Sequence, residues 1–193
     1  MSASLRSGSA AVIAVVFVLC CAAAALAHFN LNMNVRIIHV EHLSDGLRLY
    51  LRTPMPYLVA DKIGQLEKDG LPEPAPYTTN RMEEGKLVHY VDPAHLDRDP
   101  KGLGSFAGEG YRLLVGARRL KAEVEQVRLH RVGTQPGFAT LDEARAIFAA
   151  QQVVIREAAP LYVGDAVVDI IMRFESGGPV YDFAISSGID PRL

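Results

Sequence analysis

Residues 29–53 alternate in a way that leaves the chain little freedom. In FNLNMNVRIIHV, Phe29, Leu31, Met33, Val35 and Ile37 fall on one side, and Asn30, Asn32, Asn34 and Arg36 on the other. A period of two is the mark of a half-buried strand. Ser44-Asp45-Gly46 follows, with Asp-Gly as a hairpin turn signal, and Leu47, Leu49 and Leu51 then resume the alternation. The pattern predicts a β-hairpin spanning 29–53.

The rest of the chain reads as more of the same. Short strands are expected at 86–91, 111–115, 120–132, 161–175 and 179–187, the fourth of them bent at Gly164. The stretch 69–80, DGLPEPAPYTTN, reads as a loop because of its prolines and glycine. Short helices are expected near 57–66 and 93–97. One helix is well signalled: Thr140 and Glu143 form a capping box ahead of Leu141, Ala144, Ile147 and Phe148, and the helix is expected to run over 140–151. The fold class is therefore mainly β, a sandwich-like or open-barrel arrangement of about seven strands with the 140–151 helix at an edge.

A different pattern precedes the hairpin. From Ala10 to Ala27 the chain carries no charge, Arg6 lies before it, and it closes on Ala25-Leu26-Ala27. A basic start, an apolar centre and a small-x-small end are the layout of a secretory signal peptide. The run of about 18 residues also reaches the lower limit for a spanning helix, so an uncleaved N-terminal anchor is the alternative. Residues 1–27 are thus read as a signal peptide or membrane anchor, and 28–193 as an exported β-rich domain. Any membrane contact would run through residues 10–27. A lipoprotein reading fails at Val18-Leu19, which are bulky where lipid attachment at Cys20 or Cys21 needs small residues.

Both cysteines lie in that segment, which leaves the remaining 166 residues without a disulfide. Such a domain must be held by packing, which fits a bacterial periplasm better than a small disulfide-rich secreted protein. The chain carries a formal charge of −2, with acidic and basic residues interspersed. No basic stripe supports nucleic-acid binding.

Candidate sites are few. Cleavage after Ala27 would free the α-amine of His28, which with its own imidazole can chelate one metal ion. A second imidazole, from His39, His42, His89 or His130, would complete a three-nitrogen site suited to copper or another transition metal. His39 and His42 flank Glu41 in H-V-E-H, and three residues apart on a strand they face opposite ways. Gly102-Leu-Gly-Ser-Phe-Ala107 has the spacing of a dinucleotide cradle, but LDRDPK precedes it where a strand is needed, so it reads as a flexible turn. Asp165 and Asp169 are expected on one strand face about 13 Å apart, too far for a retaining carboxylate pair, and they read as a solvated face. No catalytic signature emerges, and the chain reads as a non-enzymatic binding or accessory domain, with a hydrolase of scattered site as an alternative.

Three stretches carry a resemblance. The export segment ending in Ala27-His28, the run YVGDAVVD at 162–169 and the closing VYDFAISS at 180–187 together resemble the exported N-terminal domain of HupE/UreJ-type bacterial membrane proteins. The resemblance implies a β-rich domain that precedes a multi-helix membrane segment in a family linked by name to transport of nickel or other metals. It also implies a membrane protein as partner. This chain ends at Leu193 without such a segment, as expected of a stand-alone relative or a shortened gene product. Transport activity and catalytic residues are not carried over.

Overall fold

The computed structural model describes residues 35–67, 70–150 and 160–189. Residues 1–27, His28 and the first part of the expected strand at 29–34 lie outside them. The chain is mainly β, as its alternation predicts. Four strands form the main sheet: β1 (Ile37–Leu43), β2 (Gly46–Pro54), β7 (Ala122–Arg131) and β8 (Ala166–Glu175). Their order is β1-β2-β8-β7, antiparallel throughout. A hairpin of β3 (Thr78–Glu83) and β4 (Lys86–Val91) stands beside it. A small sheet of β6 (Arg118–Leu120), β5 (Tyr111–Val115) and β9 (Ala184–Ser187) completes the strands described. None of the sheets closes into a barrel.

The main sheet is organised by β2 and β8. Leu47, Leu49 and Leu51 of β2 lie opposite Phe174, Met172 and Ile170 of β8, and all six are at most 1 % exposed. At about 1.5–3 kcal/mol for each large apolar side chain buried, this block dominates the stability of the domain. Helices α1 (Pro56–Val59) and α3 (Gly102–Gly110), together with the small sheet, supply the facing layer through Leu58, Leu103, Ala107 and Leu113. The short α2 (Pro93–Arg98) is capped by Asp92, whose carboxylate accepts from the amides of Ala94 and His95. Helix α4 (Leu141–Ala149) lies on the opposite face of the main sheet, with the Thr140–Glu143 capping box formed as its sequence predicts. Among the described residues no helix is long and apolar enough to cross a membrane.

Several expectations are corrected. The hairpin loop is Ser44-Asp45, because Leu43 already pairs with Gly46. Gly46 does not serve the turn through a positive φ. A Cβ there would stand 2.0 Å from the carbonyl oxygen of Phe174, so the glycine admits β8 at close range. The phase of β1 also differs from the early alternation. Ile38 and Val40 pack on the main core, while Ile37 joins the cluster beneath α4.

The expected strand at 120–132 is two strands, broken at Lys121 where the chain passes from the small sheet to the main one. In the expected strand at 161–175, the start is a bridge from Tyr162 to Tyr90 and a 3-10 turn at Val163–Asp165, and β8 begins at Ala166. The last strand is confined to Ala184–Ser187. Residues 78–83, partly read as loop, form β3, joined to β4 through Glu84 and Gly85, which both take positive φ. That is the requirement of a tight type I′ hairpin turn. Residues 102–107 are helical, not a flexible turn. Gly104 explains why: a Cβ there would come within 2.8 Å of Val124 and Val127, so the missing side chain lets α3 lie flat on β7.

Candidate functional site

His39 and His42 point to opposite faces of β1, and the structure does not bring them together. His39 Nε2 lies 2.9 Å from the carbonyl oxygen of Phe138, and His42 Nδ1 lies 2.8 Å from that of Val180. A carbonyl can only accept, so each of these nitrogens carries a proton. His39 then has Nδ1, and His42 has Nε2, for any further partner. His28 lies outside the described residues. His89 is buried on β4 with Nδ1 2.7 Å from Asn80 Oδ1, and burial lowers its pKa below the ordinary histidine value. Among the described residues no three His, Cys, Asp or Glu side chains converge as a metal site would need.

Asp165 and Asp169 do not share a strand face, because Asp165 sits in the 3-10 turn. Asp169 is not solvated either: it is fully buried. Arg52 grips it as a fork, with Nε on Oδ1 and Nη2 on Oδ2, both at 2.7 Å. His130 Nε2 lies 3.0 Å from the same Oδ2. Arg52 also donates to the carbonyl oxygen of Pro136 at 2.7 Å, and its guanidinium stands 4.5 Å from the centre of the Phe138 ring. Both carboxylate oxygens are therefore engaged by cationic or proton-bearing partners. The arrangement suits a fixed structural tie better than a general base.

A second network lies beside it on the same face. Arg48 donates to Glu125 at 2.7 and 3.0 Å, and to Glu41 at 3.4 Å. Tyr50 donates its hydroxyl proton to Glu41 at 2.9 Å, and Arg145 of α4 donates to Glu41 at 2.6 Å. Partial burial works to raise the Glu41 pKa, but donation from Arg145, Tyr50 and Arg48 outweighs it, and the net direction is down. Sequence reading missed this face, because the period-two pattern marks Arg48, Tyr50 and Arg52 simply as the outward row.

A third cluster joins α2 and α3. Tyr77, held at a φ of +65°, stacks on His95 with ring centres 4.0 Å apart and donates to Asp99 at 2.9 Å. Burial first, and then this hydrogen bond, push the Tyr77 phenol up to about 12. The other oxygen of Asp99 accepts from the amide of Gly102 at the start of α3. A Cβ on Gly102 would lie 1.9 Å from the Tyr77 hydroxyl, so the glycine makes room for the clasp.

Beyond that clasp, an open groove of about 870 Å³ runs between α3 and the start of β7. Lys101, Ser105 and Glu109 border it on one side, and Lys121, Glu123 and Val124 on the other. The Ser105 hydroxyl is turned back to the carbonyl of Gly102 at 2.6 Å. The side-chain charges of Lys101, Lys121 and Glu123 have no ion-pair partner among the described residues. β7 is also the outer strand of its sheet, with no described strand on its free side. The groove thus offers charges of both signs beside the outer strand of the main sheet, a combination that suits a polypeptide contact. Comparison with protein-family models, curated proteins and solved structures finds no match to this chain.

Proposed function

We propose that this chain is a non-enzymatic, exported binding or accessory domain, in the periplasm of a bacterium, whose partner is a membrane protein. The groove between α3 and the start of β7 is its contact surface. The observation that carries this reading is one groove whose charges of both signs have no ion-pair partner among the described residues, beside a strand that is outermost among the described strands of its sheet. Mixed charge favours a polypeptide over a polyanion. The apolar run from Ala10 to Ala27 supports export, and the resemblance of 162–169 and 180–187 to HupE/UreJ-type domains supports a membrane partner. Photo-crosslinking in native membranes tests it. A probe at Lys121 should capture a membrane polypeptide, a probe at the exposed Asp142 of α4 should not, and Ser105→Trp should abolish capture by filling the groove. Equal capture from both positions, or none from Lys121, would refute the assignment.

A second proposal rests on Ala25-Leu26-Ala27-His28. Removal of residues 1–27 would leave the α-amine and imidazole of His28 to hold copper. Intact mass decides the first step: a mass that retains residues 1–27 ends the idea. For a cleaved chain, Cu(II) titration should show tight binding that His28→Ala removes.

A further inference from the structure

The two faces of the main sheet need cover to very different degrees. On the core face, Leu47, Leu49 and Leu51 are buried under α1, α3 and the small sheet. On the other face, the charges that alternate with them satisfy one another within the sheet: Arg48 with Glu125, and Arg52 with Asp169. Neither of these two pairs uses a group from α4.

What α4 and the loop before it contribute is separate. Phe138, Ala144, Ile147 and Phe148 pack on Tyr50 and Ile171 in a small cluster that shares no member with the main core. Three side-chain hydrogen bonds to the segment matter here: Arg52 to the Pro136 carbonyl, His39 to the Phe138 carbonyl, and Arg145 to Glu41, beside the Val132 amide on the Asp165 carbonyl and Arg128 over the Phe148 ring. The first two fasten the loop at 132–140. The third is the one tie of the three made by the helix itself.

We propose that the loop at 132–140 and helix α4 form a cover that is released from the sheet while the rest of the domain stays folded, with Glu41 as an acid-sensitive clasp. Among the described residues, the charged and titratable groups around Glu41 are Arg145 of α4, with Asp142 paired to it at 2.9 Å, Arg48 and Tyr50 of β2, Glu125 of β7, which shares Arg48 with Glu41, and His39 two positions earlier on its own strand. Protonation of Glu41 removes the negative charge that Arg145 and Arg48 pair with, and turns into a hydroxyl one of the two oxygens that accept from Arg145, Tyr50 and Arg48. The Glu41 pKa lies below its ordinary value in the folded chain. The clasp is therefore fully present above about pH 4.3, the ordinary range of an unfolded glutamate, and is lost as the pH falls through the lower folded value. His39 keeps its bond to Phe138 on protonation, because Nε2 already carries the donated proton. Release leaves the Arg48–Glu125 and Arg52–Asp169 pairs intact on the sheet, and uncovers Tyr50, Ile171 and Ile37 there together with Phe138, Ile147 and Phe148 of the cover.

Amide hydrogen exchange on the mature protein tests the device, with each rate corrected for the intrinsic effect of pH. Amides of Ala144–Ala149 should be less protected than those of Val167–Met172 in β8. From about pH 7 to about pH 3.5 their protection should fall by roughly tenfold or more while β8 keeps its own. Glu41→Gln should give α4 low protection at neutral pH and remove its response to acid. Arg145→Gln, on the exposed side of the clasp, should do the same, and β8 reports in each variant whether the domain is folded. Equal protection of α4 and β8 at both pH values would make the domain one cooperative unit and overturn the proposal. An unchanged acid response in Glu41→Gln would also overturn it.

Discussion

Leu51 and Arg52 are neighbours in one strand, yet they stabilise the domain by different means. Leu51 is fully buried against Ile170 and the layer of α1, α3 and the small sheet. Its contribution is removal of apolar surface from water, worth about 1.5–3 kcal/mol and insensitive to direction. Arg52 is 5 % exposed and faces the other way, where its fork on Asp169 must offset the cost of taking two charges out of water. The first face supplies stability. The second is closely balanced in energy and specific in geometry. A single sheet can therefore have one face that holds the fold and another that fixes the position of whatever rests on it.

That contrast can be broken at several points. The largest effect is expected on the core face. Phe174→Ala should lower the unfolding free energy by about 3–5 kcal/mol in urea denaturation, through lost transfer energy and the cavity left behind. Asp169→Ala should come next, at about 3–5 kcal/mol, because it strands the Arg52 guanidinium in a buried site. The sharper test is the pair: Arg52→Met with Asp169→Leu should recover much of that loss. If the double variant is as unstable as the single one, the account of this face as a self-balanced pair is wrong.

Gly46→Ala tests where the two faces meet. The added methyl collides with the Phe174 carbonyl and should cost about 1–3 kcal/mol. A stable Gly46→Ala variant would mean that β2 and β8 can separate without penalty. The smallest effect belongs to the cover. Thr140→Ala removes the side chain that accepts from the Glu143 amide and should cost about 1 kcal/mol of helix stability. Hydrogen exchange should place that loss in α4 and leave β8 unchanged.

Much of the main sheet was legible in the sequence because one face is aliphatic. Leu47, Leu49 and Leu51 announce a strand, and the capping box at Thr140 and Glu143 announces a helix. The missing parts share a cause: tertiary contact outweighed local preference. Residues 102–110 contain Gly102, Gly104, Gly108 and Gly110, a composition that argues against helix, and only the close approach to Val124 and Val127 explains it. β3 went partly unread because its turn uses Glu84 where asparagine or aspartate would signal it. The candidate site was less legible still. Asp169 looks like any strand carboxylate until β2 brings Arg52 beside it, 117 positions away in the chain. His39 and His42 are each read from the sequence as a candidate second imidazole for His28, and their carbonyl partners, Phe138 and Val180, lie far along the sequence.

The glycines of α3 also bear on the order in which this domain assembles. Each glycine in a helix interior costs roughly 1 kcal/mol relative to alanine, and an isolated nine-residue helix is already marginal. Helix α3 therefore cannot lead. It must wait until β7 and β8 have paired and presented Val124, Val127 and Ile170 as a surface to lie on. Helix α4, with its capping box and alanine-rich composition, is under no such constraint. Substitutions within α3 will then act mainly on how fast the native state is lost, while those in the β2–β8 pair govern how fast it is reached.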